Sequence, residues 1–128
     1  MDLPSNIYIA VVDDDESLCR SLGRLLRAAG IHPITYPSSE AFLADDKHPR
    51  FDCLVLDVQL GGISGIELLR RLAAVGEKTP AIFITAHDDP EIREEALAAG
   101  CSGFFRKTDS GAEVLEAIRH LVISNYKK

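Results

Sequence analysis

The sequence predicts an α/β fold in which helices cover both faces of a parallel sheet. Short apolar runs alternate with amphipathic helical patterns five times along the chain, as expected for strand–helix units. Several of the runs are apolar at consecutive positions, which is typical of strands buried on both faces. A length of 128 residues suits a single domain with its own core. We expect one domain over residues 1–128, with residues 124–128 as a tail or the start of a linker.

Five segments are predicted to be strands. They are residues 7–12, 31–36, 54–57, 81–84 and 101–105. Pro33 cannot donate a ladder hydrogen bond and Gly103 weakens strand packing, so the second and fifth strands are expected at the sheet edges. With right-handed crossovers, these edge positions favour the strand order 2-1-3-4-5 of the doubly wound, flavodoxin-like fold.

Capping residues indicate where the predicted helices begin and end. Asp15 is a candidate N-cap for the first helix, which Gly30 ends, and Ser38 or Ser39 begins the second. The third helix follows the glycine-rich stretch after the third strand. Its apolar face is predicted to comprise Ile66, Leu69, Leu72 and Ala73.

The last two helices differ in the apolar surface that they can bury. Asp89 followed by Pro90 is a strong helix start, because proline at the first helical position costs no hydrogen bond. The apolar residues of this fourth helix are few: Ile92, Ala96 and Leu97. We therefore expect it to be held loosely. The fifth helix begins with Ser110 and Glu113 at capping-box spacing. Its buried face is predicted to comprise Val114, Ile118, Leu121 and Val122.

Composition and charge exclude several classes of function. A net charge of −6 and a pI of about 5.1 argue against direct nucleic-acid binding, which requires a basic patch. Cys19, Cys53 and Cys101 have no paired spacing, so we expect small core residues, with redox sensing as the alternative. The sequence contains no signal-peptide pattern and no apolar run of membrane-spanning length. We expect a cytoplasmic protein that does not bind membranes.

Chemically useful side chains follow four of the predicted strands. Asp13 and Asp14 follow the first strand, and Asp57 ends the third. Thr85 follows the fourth strand and Lys107 the fifth. Because the carboxyl ends of parallel strands meet at one edge, these side chains should share the crevice where the strand order reverses. Three carboxylates repel one another unless a cation such as Mg²⁺ lies between them, and a nearby hydroxyl and ammonium suit phosphoryl transfer to Asp57.

Each of these residues has a simpler interpretation on its own. An aspartate at the end of a strand is more often a helix cap than a nucleophile. A threonine after an apolar strand is usually structural, and a lysine after two aromatic residues is usually solvated. The prediction depends on all of them following consecutive strands, in order, within one domain.

Four segments resemble the signature segments of bacterial response-regulator receiver domains. They are residues 11–16 (VVDDDE), 54–57 (LVLD), 84–86 (ITA) and 104–107 (FFRK). The resemblance extends from about Ile7 to Val122, nearly the whole chain. It implies a phosphoacceptor domain of a two-component system that uses Mg²⁺ and promotes only its own phosphorylation and dephosphorylation.

The resemblance implies a phosphoacceptor and a set of metal ligands. Asp57 would accept the phosphoryl group from the phosphohistidine of a sensor histidine kinase. Asp57 and Asp14 would bind Mg²⁺ directly and Asp13 through water. The backbone carbonyl of Gln59 would be a further ligand.

The resemblance also implies residues that respond to the phosphoryl group. Thr85 and Lys107 would hold phosphoryl oxygens, and Phe104 would rotate inward on activation. Gln59 and His87 occupy positions that tune the lifetime of the phosphoryl group. The alternatives are a permanently buried Phe104 in the edge strand and a merely solvated His87 in its loop.

Two positions depart from the family pattern. Gly61 stands where receivers usually carry proline, so we expect a more mobile loop after the third strand. Thr108 stands where a proline usually follows the lysine, often after a cis bond. A cis bond before a residue other than proline costs roughly 3–4 kcal/mol, so we predict a trans Lys107–Thr108 bond and a locally redrawn loop.

The implied output is a changed surface made by the fourth helix, the last strand and the last helix. Candidate contacts on it are Arg93, Arg106 and Arg119. The implied partners are a sensor histidine kinase and an output domain or partner protein, with transcription as the expected process. A phosphorylation-dependent homodimer is also expected as an outcome of this switch.

Two other functions remain open at this stage. Asp13-x-Asp15 superficially resembles the motif of haloacid-dehalogenase phosphatases, although Ser17 stands where that motif needs threonine or valine and there is no room for a cap insertion. A receiver-like interaction module that is never phosphorylated is the other alternative. The intact acidic residues argue against it.

Overall fold

The computed structural model describes residues 6–126, within which five strands alternate with five helices. In chain order they are β1 (Tyr8–Val12), α1 (Glu16–Ala28), β2 (His32–Tyr36), α2 (Ser39–Ala44), β3 (Cys53–Asp57), α3 (Gly65–Ala74), β4 (Ala81–Thr85), α4 (Pro90–Ala98), β5 (Gly103–Arg106) and α5 (Gly111–Tyr126). The strands pair in parallel in the order β2-β1-β3-β4-β5. This order confirms the predicted topology and the edge positions of the strands that contain Pro33 and Gly103.

The sheet is covered by three helices on one face and two on the other. Leu54 and Leu56 of β3 pack with α2, α3 and α4, whereas Cys53 and Val55 pack with α1 and α5. This alternation follows from the two-residue period of a strand. All of β3 is buried, and it is the middle strand of the sheet. Its last residue, Asp57, therefore lies at the centre of the edge formed by the carboxyl ends of the strands.

The helix starts agree with the capping residues read from the sequence, with one difference. Asp15 accepts a hydrogen bond from the Leu18 N–H at 3.1 Å, and Ser38 rather than Ser39 caps α2. Asp89 likewise caps α4, with Pro90 at its first position. At the start of α5 the Ser110 hydroxyl accepts from the N–H of Ala112 rather than that of Glu113, so the cap bond is one residue shorter than in a capping box.

Leu97, one of the few apolar residues of α4, is exposed, and the prediction that Ala73 belongs to the apolar face of α3 was wrong about its burial. Leu97 is 57% exposed, because the residues that pack against the core are Ile92 and Ala96 of α4 and its C-cap residue Ala99, at helical spacing. In α3 the fully buried residue is Leu68, and Ala73 is exposed although it lies on the same side as Ile66. The buried residues of α3 therefore lie in its first half, and its last two residues are exposed.

The ends of the last strand and helix also differ from the prediction. The strand β5 begins at Gly103, two residues after the predicted start. The helix α5 continues through Tyr126, so residues 124–126 of the expected tail are helical. Residues 127–128 lie outside the described part of the chain. No helix between residues 6 and 126 is long and apolar enough to cross a membrane.

Candidate functional site

The carboxyl edge of the sheet brings together the residues that the sequence placed at strand ends. Asp13, Asp57 and Thr85 are buried, at 3%, 4% and 0% exposure. Asp14 is exposed beside them. Lys107 reaches the same edge because its N–H donates to the carbonyl oxygen of Thr85 at 2.8 Å, which extends the β4–β5 ladder by one residue. Four strands therefore contribute to one cluster of polar side chains.

The ammonium of Lys107 connects the carboxylates of this cluster. Its Nζ atom lies 3.2 Å from Asp13 Oδ1 and 3.2 Å from Asp57 Oδ2. Asp15 Oδ2 lies 3.8 Å from the same Nζ, a contact that the sequence did not predict. Burial alone would lower the pKa of Lys107, but the hydrogen bonds and charges of Asp13 and Asp57 outweigh it and raise that pKa. The lysine is therefore charged and held over Asp57.

Asp13 is the carboxylate with the most perturbed environment. Burial raises its pKa to about 6, against a hydrogen bond from the Asp15 N–H at 2.9 Å, and the charge of Asp57 adds to the rise. Its Oδ1 atom accepts from Asp15 and Lys107. Its Oδ2 atom is buried and has no hydrogen-bond partner among residues 6–126. A buried carboxylate oxygen without a partner lowers the stability of the folded state, and a cation bound beside it removes this penalty.

The donor set matches a hard divalent cation. Carboxylate oxygens of Asp13, Asp14 and Asp57 lie within 4.8 Å of one another. Oxygen ligands alone favour Mg²⁺ over softer metals. Cys19 lies next to this cluster, with its Sγ atom 3.4 Å from the Asp13 carbonyl, which the sequence did not predict. Burial raises the pKa of that thiol to about 11, so it stays protonated and is a poor metal ligand.

The three cysteines are not reactive thiolates in this fold. Cys53 is buried, and Cys19 and Cys101 are half-buried. Burial is the largest cause that raises the pKa of each of the three thiols. The pKa of Cys53 rises to about 12. Since oxidation proceeds through the thiolate, the structure favours the core interpretation over redox sensing.

Thr85 is tied to the loop that follows β4. Its Oγ1 atom donates to the carbonyl oxygen of His87 and accepts from the N–H of the same residue, both at 3.1 Å. The backbone of His87 therefore contacts the site, whereas the residue as a whole is exposed. Any group that draws the Thr85 hydroxyl toward Asp57 must break its bond to the His87 carbonyl.

Phe104 lies half-buried on the α4 side of the sheet. The guanidinium carbon of Arg93 lies 5.0 Å from the centre of the Phe104 ring. Asp88 lies 3.7 Å from Arg93 and 4.0 Å from Arg106, so it links α4 to β5. The sequence predicted these arginines as surface contacts but not this link. Phe104 is thus covered by a charged side chain rather than enclosed in the core.

The loop after Lys107 is a tight turn with a trans peptide bond, as predicted. Every peptide bond in residues 6–126 is trans, and the bond between Lys107 and Thr108 is one of them. The N–H of Arg106 donates to Asp109 Oδ2 at 2.9 Å, and the N–H of Asp109 donates to the Arg106 carbonyl at 3.0 Å. This reciprocal pair closes the turn in place of a proline.

Comparison with known proteins places this arrangement in a family. The sequence model of the response regulator receiver domain matches residues 9–119. The response regulator protein TmoT of Ectopseudomonas mendocina is 39% identical over 118 residues, covering 92% of this chain and 53% of TmoT. The transcriptional regulatory protein FixJ of Azorhizobium caulinodans is 34% identical over 117 residues, covering 91% of this chain and 56% of FixJ.

A solved structure supports the same family assignment. A response regulator receiver protein from Burkholderia phymatum is 43% identical, with a TM-score of 0.79 and coverage of 91% of this chain and 95% of that one. The chain spans about half the length of the curated relatives that it matches. The match to the family covers every strand residue of the sheet except Tyr8, and it includes Asp13, Asp14 and Asp57. The chain belongs to the response regulator receiver domain family.

Proposed function

We propose that this chain is a phosphorylation-controlled switch in which Asp57 accepts a phosphoryl group from the phosphohistidine of a sensor histidine kinase. The observation that carries the proposal is the position of Lys107, 3.2 Å from both Asp13 and Asp57. A buried carboxylate with an ammonium on one side and two further carboxylates beside it is arranged for transfer of a highly charged group.

The metal ligands would be Asp14, Asp57 and the backbone carbonyl of Gln59, with Asp13 acting through water. The unpartnered Oδ2 atom of Asp13 and the close approach of the three carboxylates support this assignment. Bound Mg²⁺ would supply positive charge to the carboxylates and to the phosphoryl oxygens during transfer.

The transfer forms one bond and breaks one. A carboxylate oxygen of Asp57 bonds to phosphorus while the bond between phosphorus and the histidine nitrogen breaks, and the imidazole leaves. Lys107 moves from Asp57 Oδ2 to an oxygen of the incoming group. The Thr85 hydroxyl releases the His87 carbonyl and donates to another of these oxygens. Each residue thereby neutralises charge that develops on the phosphoryl group.

The switch would follow from the release of His87. Its loop leads directly into α4, whose fully buried residue is Ala96, so this helix can shift at low cost. A shift of α4 removes Arg93 from the ring of Phe104 and lets the ring rotate inward. The surface formed by α4, β5 and α5, including Arg106 and Arg119, then presents a different arrangement to a partner.

The output would be carried by a partner or by a further domain. The curated relatives are roughly twice as long as the stretch matched here, and FixJ is named a transcriptional regulatory protein. We propose a role in transcription, either through an output domain or through a phosphorylation-dependent homodimer. With a net charge of −6, this domain would not contact nucleic acid itself. The exposed Gln59 and His87 would tune the lifetime of the phosphoryl group.

Phosphorylation by acetyl phosphate, followed by intact mass spectrometry, tests the proposal. We expect one phosphoryl group per chain, a requirement for Mg²⁺, and loss of labelling in Asp57→Asn. Asp46→Asn, which changes an exposed aspartate away from the site, is the control. Undiminished labelling of Asp57→Asn would refute the assignment. Multiple turnover of a phosphomonoester, abolished by Asp13→Asn, would instead favour the phosphatase.

A further inference from the structure

The loop between β3 and α3 is tied to the first turn of α2. Glu40 is the second residue of that helix, and its Oε2 atom accepts a hydrogen bond from the backbone N–H of Ile63 at 3.0 Å. The two residues are 23 positions apart in the chain. The tie therefore joins two separate elements at the carboxyl edge of the sheet.

Gly62 leaves room for this contact. Its φ angle is +77°, a conformation that residues with side chains rarely adopt. A β-carbon at this position would overlap the Glu40 carboxylate. Both the backbone conformation and the approach of Glu40 therefore require glycine here.

The rest of the loop is held at its two ends. Next to Asp57, the Gln59 N–H donates to Asp57 Oδ1 at 3.2 Å. At the start of α3, the Gly65 N–H donates to the Val58 carbonyl at 3.1 Å. Between these bonds lie Gly61 and Gly62, both exposed, and the Glu40 bond reaches the backbone immediately after them.

We propose that Glu40 is a positioning residue that holds this loop in the conformation needed for metal binding, an inference that rests on the proposed function. The Gln59 carbonyl belongs to the Gln59–Leu60 peptide, one residue before the pair Gly61 and Gly62, so its orientation depends on how that pair is held. Without a tie at Ile63, the glycine pair samples many conformations, and the fraction with that carbonyl directed at the site falls. The apparent dissociation constant for Mg²⁺ rises in inverse proportion to this fraction.

Glu40→Ala and Glu40→Gln separate this role from a general effect on stability. For Glu40→Ala we expect the apparent dissociation constant for Mg²⁺ to rise about three- to fivefold, the effect of losing one solvent-exposed hydrogen bond of ordinary strength. Phosphorylation by acetyl phosphate should slow by the same factor at low Mg²⁺ and recover at saturating Mg²⁺. Glu40→Gln keeps a side-chain oxygen that can accept from Ile63, so it should remain within twofold of wild type.

Glu113→Ala is the matched control, since Glu113 is also an exposed acidic residue in the first turn of its helix. It changes the net charge and the helix end in the same way as Glu40→Ala but contacts no part of this loop. An equal loss of Mg²⁺ affinity in both variants would overturn the proposal in favour of a general charge effect.

Amide hydrogen exchange at Ile63 tests the contact without metal or phosphate. We expect faster exchange at Ile63 in Glu40→Ala, near-normal exchange in Glu40→Gln, and no change at Gln59. Unchanged exchange at Ile63 in Glu40→Ala, or faster exchange with unchanged Mg²⁺ affinity, would overturn the positioning role. Wild-type protein that binds no Mg²⁺ would overturn the proposed function and this inference together, even with Ile63 protected.

Gly62→Ala provides an independent test of the same tie. Its β-carbon displaces Glu40 from Ile63, so its loss of Mg²⁺ affinity should include that of Glu40→Ala. The double variant should therefore bind Mg²⁺ no more weakly than Gly62→Ala alone. Additive losses would show that Glu40 acts elsewhere and overturn the inference.

Discussion

The Lys107 ammonium lies 3.2 Å from Asp57 Oδ2, although the two residues are 50 positions apart in the chain. Asp57 ends β3 and Lys107 follows β5, and β4 lies between these two strands in the sheet. The lysine side chain is only 18% exposed and also contacts Asp13. It is therefore the group that balances the charge of two buried carboxylates when no divalent cation is bound.

Replacing Lys107 by methionine removes this balance. In the presence of EDTA we expect Lys107→Met to lower the free energy of unfolding by about 1–3 kcal/mol, because two buried carboxylates lose a partner that is itself partly solvated. Mg²⁺ should restore more stability to this variant than to wild type. Urea unfolding with and without Mg²⁺ measures both effects, with the exposed Lys78→Met as control. Equal stabilisation by Mg²⁺ in all three proteins would contradict the prediction.

Mg²⁺ should stabilise the folded domain through Asp13 and Asp14. At a free concentration ten times the dissociation constant, we expect about 1.4 kcal/mol of added stability for wild type. Asp13→Asn and Asp14→Asn should lose most of that increment because each removes one of three clustered carboxylates. Thermal unfolding in matched ionic strength measures the increment. A variant at Asp46 that lost it equally would point to screening of the overall negative charge instead.

Thr85 should be needed to transmit the occupancy of Asp57 to α4, apart from any effect on the rate of phosphorylation. Thr85→Ala removes the hydroxyl that bonds the backbone of His87, so beryllofluoride bound at Asp57 should no longer shift NMR signals of α4 and Phe104. Thr85→Ser retains the hydroxyl and should retain those shifts. Thr79→Ala, which removes a hydroxyl near the opposite end of β4, is the control. Full propagation in Thr85→Ala would show that another residue carries the signal.

Arg93 should hold Phe104 in its present position. Loss of a cation–π contact at an exposed site costs roughly 0.5–1 kcal/mol, so Arg93→Ala should favour the alternative position two- to fivefold. We expect a corresponding gain in apparent affinity for beryllofluoride, read from the ring signals of Phe104. Arg20→Ala removes a similarly exposed arginine that pairs with Glu16 on α1. An unchanged affinity in Arg93→Ala would mean that the contact does not restrain the ring.

Tyr36 should make the fold sensitive to alkaline pH. Burial, then the hydrogen bond at 2.6 Å to Asp45 and its charge, raise the pKa of Tyr36 well above its ordinary value. The folded state therefore keeps a proton that the unfolded chain releases near pH ~10, so stability is fully present below that pH and declines as pH rises above it. Urea unfolding between about pH 8 and 11 should show a shallower decline for Tyr36→Phe.

Asp45→Asn separates the two causes of that dependence. Because burial of Tyr36 is the larger cause, this variant should retain part of the alkaline decline. A decline in Tyr36→Phe as steep as in wild type would assign it to another group. Tyr126, whose pKa is raised by burial and by its hydrogen bond to Asp52, is the residue to replace next.

Most elements and most of the site could be predicted because they depend on local chemistry. Asp15 and Asp89 mark helix starts through bonds to amides two or three residues away. Asp57 follows three apolar residues that can only be buried. The exposure of Leu97 could not be predicted in this way, since a helix with few apolar residues can place more than one face against the sheet. Contacts with β4 and β5 decide the face, and they lie outside the helix.

The sequence by itself determined the order of strands and helices, the edge strands, and which side chains stand at strand ends. These follow from residue spacing, proline and glycine placement, and the shared direction of parallel strands. Only the tertiary structure decided that Lys107 contacts Asp15 as well as Asp13, that Cys19 lies beside the acidic cluster, and that Glu40 holds Ile63. Those contacts join residues on different elements, so they depend on strand register and helix packing, which no local pattern encodes.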